Sequence, residues 1–400
     1  MTETQLLFNP FEPGFTDDPY PAYRRIRAAD PVHESPFGVT VLSRYEDVVA
    51  ILRAGQSVDA RQAEGPFREQ FDRLNDREPS LTLSMLDRDP PDHTRLRSLV
   101  AKVFTPRSVA ALEPEITELV DAALDRVQEA GRVDLVEALA FPLPFTVISR
   151  MLGVPATDHV RIRELSGLVV RSLEPVIDPA QQDRIGDAGA ELAAITRELI
   201  AWKRATPGDD LLSALIAAED DGDRLTEEEL VAQVVLLYVA GHETTVNLIS
   251  NGVVALLRHP DQLALLRGRP DLAANTVEEV LRYDSPVQQS RRITVEPYTV
   301  RGRTIPPGTF VVAGLASANR DEEFWGADAD RLRIDRENAR QHVAFGAGPH
   351  HCLGAALARL EGRVAIERLV RRFPGLAFDG EVEWNGRINL RGPAVLPVSV

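Results

Sequence analysis

The chain carries one cysteine, Cys352, in the stretch Phe345-Gly-Ala-Gly-Pro-His-His-Cys352-Leu-Gly354. Three glycines and a proline there predict an irregular loop in which backbone can approach a ligand closely. Directly after it, Ala355, Ala356, Leu357, Leu360 and Val364 follow helical spacing, so Cys352 stands at a helix N-terminus. Free N–H groups and the positive end of the helix dipole favour a thiolate at such a position. A thiolate in a glycine-rich loop suits axial ligation of a haem iron. Two other chemistries use the same residue types. One is a buried, inert cysteine. The other is zinc held by His350, His351 and Cys352, although structural zinc usually draws on several cysteines at C-x-x-C-like spacing.

A second group, Ala240-Gly241-His242-Glu243-Thr244-Thr245, lies midway along a long apolar run. Glycine inside a helix costs about 1 kcal/mol relative to alanine. A groove for a diatomic ligand, or a local widening of the helix, would offset that. Thr244 can hydrogen-bond back to a carbonyl, and Glu243 can relay protons. A packing glycine beside a satisfied polar pair is the plainer alternative.

These residues need elements to hold them. Thr226 and Glu229 have capping-box spacing, and the apolar pattern then runs to Leu257, with Pro260 as its stop. The run is long enough to span a bilayer, but Gln233, His242, Glu243, Asn247 and Asn251 interrupt it. A central helix buried on all sides is the expectation. Elsewhere Asp18-Pro19 opens a short helix through Tyr23 and Ile26, and Tyr45 to Leu52 forms another. Helical patterns continue through Val100, Leu119, Ile148, Leu168 and Leu192. Val39 to Leu42, Thr309 to Val312 and Val395 to Val400 read as strands, and Gly55 to Ser84 as a long loop. The fold class is mainly α with a minor β portion, and no linker or repeat divides the 400 residues into more than one domain.

Composition narrows the function. The formal net charge is −16, and Lys102 and Lys203 are the only lysines. Acidity without a basic stripe argues against a nucleic-acid partner. The N-terminus lacks the pattern of a secretory signal, and one cysteine fits a reducing cytoplasm.

The stretch FGAGPHHCLG matches F-x-x-G-x-H-x-C-x-G, and AGHETT matches A-G-x-[D/E]-T-[T/S]. With these motifs, their order and its length, the whole chain resembles the soluble bacterial members of the cytochrome P-450 superfamily. That resemblance implies haem b, iron protoporphyrin IX, set between the long central helix and the cysteine-loop helix. Cys352 would be the axial iron ligand, with Phe345, Gly346 and Gly354 shaping its loop. Ala240 and Gly241 would face the iron. Thr244 would steady the activated oxygen derived from O2, and Glu243 would help deliver protons. In Pro91-Asp-His-Thr-Arg-Leu-Arg97, His93 and Arg97 resemble the family's propionate-binding pair, as do Arg292 and His350.

Glu279 and Arg282 match the family's E-x-x-R motif, whose later arginine partner is expected at Arg331. Family correspondence puts Met85, Leu86, Leu236, Val239, Val287, Gln288, Asn389 and Leu390 around the substrate. An access lid is expected between about 156–175 and 180–204, where Pro175 and Pro179 break the periodicity. No dinucleotide fingerprint is present, so electrons must come from outside. The resemblance implies a ferredoxin or flavodoxin with an NAD(P)H-dependent reductase, serving oxidation of a small organic molecule without nucleic acid or membrane. Arg95, Lys102, Arg359 and Arg363 are the expected docking patch.

Overall fold

The structure is a computed structural model and describes residues 8–36, 38–155, 159–175, 178–220 and 223–400. Its axis is the helix Glu227–Arg258. The capping box forms in full: Thr226 Oγ1 accepts the Glu229 N–H at 3.2 Å, and the Glu229 carboxylate accepts the Thr226 N–H at 2.9 Å. Burial covers most of the circumference, including Gln233, His242 and Asn251 at 0% exposure, while Ala240 is exposed and Gly241, Glu243 and Thr244 are half-buried. The helix belongs to two hydrophobic clusters at once, through Val231 to Val254 in one and Leu248, Ala255 and Leu256 in the other. Among the described residues no helix is long and apolar enough to cross a membrane.

The cysteine helix, Ala355–Arg372, packs directly on this axis. A Cβ on Gly252 would lie 2.7 Å from Ile366 Cδ1, so a larger residue there would make the Ile366 side chain shift. The helices Pro142–Met151 and Pro179–Ala205 cover other faces of the axis.

The largest sheet has four strands in the order Val32–Ser35, Val39–Leu42, Phe310–Ala313, Ser290–Ile293. Its middle pair is parallel, with Val39 opposite Phe310 and Leu42 opposite Ala313. The strand expected at Val395 to Val400 is divided into Pro393–Val395 and Pro397–Ser399. The long loop expected from Gly55 to Ser84 is not structureless. It contains the helix Pro66–Asn75 and two 3-10 turns, Ala60–Gln62 and Pro79–Leu83. Pro66 opens that helix at a position where its missing N–H is harmless. The helices expected through Tyr23 and Ile26, from Tyr45 to Leu52, and through Val100, Leu119, Ile148, Leu168 and Leu192 are present as Tyr20–Ala29, Tyr45–Arg53, Asp92–Val103, Glu113–Ala130, Pro142–Met151, His159–Val169 and Pro179–Ala205.

Candidate active site

Cys352 lies three residues before the cysteine helix. Its N–H donates to the Phe345 carbonyl at 2.9 Å, which closes the loop on itself. Gly346 and Gly348 both take positive φ. A side chain on Gly348 would meet the Leu52 carbonyl at 2.6 Å, so the loop can seat against the helix Tyr45–Arg53 only with glycine. Burial pushes the Cys352 thiol up, while the Gly354 and Ala355 N–H groups and the Arg97 and Arg359 guanidiniums pull it down. The residue keeps accessible surface although protein surrounds it densely, as a group at the floor of a cleft does. Among the described residues no three His, Cys, Asp or Glu side chains converge on a metal-sized position, which leaves the zinc alternative without a ligand set.

Beside this loop sits a cluster of two guanidiniums and two imidazoles, with Asp89 as the acid that acts on it. His93 and His350 stack with ring centroids 4.0 Å apart. His93 is 2% exposed and its Nε2 has no hydrogen-bond partner. Arg97 donates to the His351 carbonyl at 2.7 Å. Arg292 donates only to the Leu52 and Arg291 carbonyls and to Ser290 Oγ. Burial and the neighbouring Arg291 press the Arg292 guanidinium down to about 10. Burial, then His93, Arg292 and Arg97, press His350 down to about 3. A buried set of donors that repel one another calls for an anion bearing two carboxylates. Haem propionates fit it, and Cys352 beside them fits the iron.

On the central helix, Thr244 Oγ1 donates back to the Ala240 carbonyl at 3.0 Å. The helix continues without widening, so this back-bond, not a bulge, occupies the carbonyl beside Gly241. Glu243 pairs with Arg387, a residue the sequence did not flag. An acid in the middle of a buried helix requires a counter-charge, but nothing local says which of the many arginines supplies it. His242 is buried, held through Nδ1 to the Tyr238 carbonyl at 2.6 Å and packed edge-on against Phe141 and Phe145. Burial drives it below the usual histidine range, so it is neutral.

The E-x-x-R pair forms, but its third member is not the one expected. Arg282 Nε and Nη2 each reach the Glu279 carboxylate at 2.7 Å, with both residues at 0% exposure. Arg336 completes the set at 3.2 Å from both Glu279 oxygens. Arg331 contributes only its backbone carbonyl, which accepts from Arg282 at 2.8 Å, while its side chain is exposed. The chain turns beyond Arg331, and the Arg336 side chain is the one carried inward.

A second buried acid next door was also missed. Glu278 accepts from His342 Nε2 at 3.0 Å and from Arg359 Nε at 2.8 Å. His342 Nδ1 in turn accepts the Ala344 N–H at 3.1 Å, which fixes a neutral tautomer. Arg359 lies 4.5 Å above the Phe345 ring. Glu361, on the cysteine helix, is a third buried acid, with Thr245 of the central helix beside it.

The expected pocket residues divide. Val287 bridges Leu390, and the Gln288 N–H donates to the Asn389 carbonyl at 2.8 Å. Met85 ties its segment to the central helix through the Gln233 side chain at 3.1 Å, and Leu86 is 40% exposed. Leu236 and Val239 stand on that helix, one turn before Ala240 and Glu243 respectively. The Gln288 side chain has no exposure and donates to the Ser285 carbonyl at 2.6 Å, while its Oε1 has no partner. The expected docking arginines are already paired within the chain: Arg95 with Glu229, Arg359 with Glu278 and Arg363 with Glu113. That leaves the patch weaker than its arginines suggest.

The family model described as Cytochrome P450 matches residues 35–268 and 271–383. The chain belongs to the cytochrome P450 family. It is a P450 monooxygenase, an oxidoreductase with a haem-thiolate iron cofactor. It is 45% identical over 396 residues to "Cytochrome P450 monooxygenase PikC" of Streptomyces venezuelae, covering 96% of this chain and 91% of that protein. It is also 45% identical over 400 residues to "Vitamin D(3) 25-hydroxylase" of Pseudonocardia autotrophica, covering 98% and 96%. The ligand-free structure of Mycobacterium smegmatis CYP164A2 superposes with a TM-score of 0.89 at 41% identity, covering 99% of this chain and 98% of that one. P450 enzymes take electrons from redox partners and act on organic substrates.

Proposed function

We propose that this P450 inserts one atom of O2 into a small organic molecule, by hydroxylation or epoxidation. The cofactor is haem b, and electrons come from NAD(P)H through a ferredoxin or flavodoxin, with all 400 residues acting as one cytoplasmic domain. The observation that carries the reading is Glu243 beside Thr244 in the middle of the buried helix, with Glu243 joined to Arg387. Relatives named as a monooxygenase, a vitamin D(3) hydroxylase and a polyketide biosynthesis P450 support an oxygenation of natural-product-like molecules.

Each group has a task its chemistry allows. Haem held by Cys352 would supply the oxidising power for attack on an unactivated carbon. Cys352 would bind as a thiolate, helped by the N–H groups of Gly354 and Ala355 and by nearby guanidiniums. His93, Arg97, Arg292 and His350 would hold the propionates. Thr244 Oγ1, now donating to the Ala240 carbonyl, can turn to donate a proton into the pocket. Glu243 would pass protons towards it, its carboxylate held at the helix face by Arg387. Phe345, Gly346 and Gly354 would shape the loop, and Met85, Leu86, Leu236, Val239, Val287, Asn389 and Leu390 would exclude water around the substrate.

A peroxide-driven P450 is the competing reading, and the Glu243-Thr244 pair disfavours it. Natural-product libraries should be screened for low-spin to high-spin shifts. The hits are then turned over with ferredoxin, reductase and NADPH, or with hydrogen peroxide alone. Product in the first mixture supports the reading. Product only with peroxide sinks it.

A further inference from the structure

The turn between the strands Glu383–Trp384 and Pro393–Val395 is organised around a carboxylate that comes from elsewhere. Asn385 shapes the turn, accepting the Arg387 N–H at 3.1 Å and donating to the Leu390 carbonyl at 2.9 Å. Three successive N–H groups then converge on Glu174. Ile388 and Asn389 donate to its Oε2 at 2.9 and 2.8 Å, and Leu390 donates to Oε1 at 2.9 Å. Consecutive amides aimed at one point form an anion nest. Glu174 follows the 3-10 segment Val170–Leu173, in the connection from the helix His159–Val169 to the helix Pro179–Ala205. Asn389 Nδ2 adds a bond to the Leu173 carbonyl at 3.2 Å. The same turn sends the Arg387 side chain to Glu243 on the central helix.

We infer that Glu174 latches the connection between the two helices onto the C-terminal turn, and that Arg387 lets this latch set the position of the Glu243 carboxylate. Glu174 and Arg387 are therefore positioning residues. With the nest filled, Arg387 leaves the turn at a fixed point and reaches Glu243. With Glu174 withdrawn, three N–H groups lose a charged acceptor together, and the turn is left to the weaker, neutral bonds that Asn385 makes. Leu390 also bridges to Val287, so withdrawing Glu174 would loosen two segments proposed to line the substrate pocket and, with them, the placement of the acid. The second half of the inference rests on Glu243 serving as the proton-handling group; the latch does not.

The test uses the full, haem-loaded chain and imidazole as the probe. Imidazole association and dissociation rates come from stopped-flow spectra. Protection of the 388–390 amides comes from hydrogen exchange. The Glu243 carboxylate stretch comes from infrared difference spectra, assigned by its loss in Glu243→Gln. Glu174→Ala should expose the three amides and raise both imidazole rates about tenfold, the equivalent of one charge-assisted hydrogen bond, while the ratio of the rates changes little. Glu174→Gln, which keeps one acceptor oxygen and folds more safely, should give a smaller change in the same direction. Glu174→Ala and Arg387→Gln should both shift the Glu243 band. Exposed amides with unchanged imidazole rates in both Glu174 variants would overturn the latch. A Glu243 band that moves in Arg387→Gln but not in Glu174→Ala would overturn the coupling. None of these readouts requires turnover, so failure of the monooxygenase reading would leave them intact.

Discussion

Glu278 and Glu279 are neighbours on the helix Ala273–Tyr283, both buried, and each secures a different part of the chain. Glu279 binds Arg282 and Arg336 and accepts the Arg333 N–H at 2.8 Å, which fixes the segment 328–336. Glu278 binds His342 and Arg359, which brackets the cysteine loop. Adjacent helix positions point about 100° apart, so one short helix serves two buried ionic networks.

The first network predicts an asymmetry between two arginines. Arg336→Ala and Arg282→Ala should each lower stability by about 3–5 kcal/mol and reduce haem content, because each leaves the Glu279 charge under-compensated. Arg331→Ala should change stability by less than about 0.5 kcal/mol, since its side chain is exposed and only its carbonyl is used. Thermal unfolding and the haem-to-protein ratio measure both. Equal damage at 331 and 336 would refute the assignment.

The second network should appear in acid. His342 and Arg359 hold the Glu278 carboxyl down to about 2, against an ordinary 4.5. Its contribution is therefore complete above about pH 4.5 and disappears as pH falls towards 2. At about 1.4 kcal/mol per unit that is roughly 3 kcal/mol. Glu278→Gln should be less stable than the parent at pH 6, with the gap closing on acidification. Parallel pH–stability curves would refute the pairing.

Glu361 predicts the reverse. Neither oxygen has a well-formed hydrogen bond, Thr245 offsets its burial only in part, and the carboxyl is pushed up to about 8. Above pH 4.5 the unfolded chain releases this proton while the folded chain keeps it. Stability therefore falls by about 1.4 kcal/mol per unit until about pH 8. Glu361→Gln, uncharged throughout, should lose that slope and exceed the parent in stability at pH 8. Urea midpoints between pH 5 and 9 give the comparison.

For the iron ligand the expected result is spectroscopic. The reduced carbonyl complex should show the red-shifted Soret band of a thiolate ligand. Cys352→His should move the band towards that of histidine-ligated haem proteins. An unchanged spectrum in the variant would remove Cys352 from the metal.

Thr244→Ala should keep the fold, because alanine is the better helix former and the lost bond is a side-chain back-bond. It should also keep the carbonyl spectrum and continue to consume NAD(P)H. Product per NAD(P)H should fall about tenfold or more, with hydrogen peroxide rising to match. If coupling stays at the parental level, another hydroxyl, such as that of Thr245, has the role.

What was legible in the sequence was what is local in it. Cys352, Glu243, Thr244 and the Glu279-Arg282 pair lie inside short motifs, and the central helix announced both of its ends through Thr226, Glu229 and Pro260. Arg336, Arg387, Glu278 and Glu174 act across 57, 144, 81 and 214 or more residues of separation, where no spacing rule applies. Arg331 was preferred on motif position, but that position does not say which arginine the turn carries inward. The helix Pro66–Asn75 was legible in Phe67, Phe71 and Leu74 at helical spacing, but it is short and lies between turn-rich stretches, and the segment reads as loop when taken whole.

The half-buried Arg97 and the buried Arg292, set beside His93 and His350, bear on thermodynamics as well as on recognition. An anion held there would offset the cost of burying the two guanidiniums and favour the folded chain by mass action, so thermal stability should rise with haem occupancy.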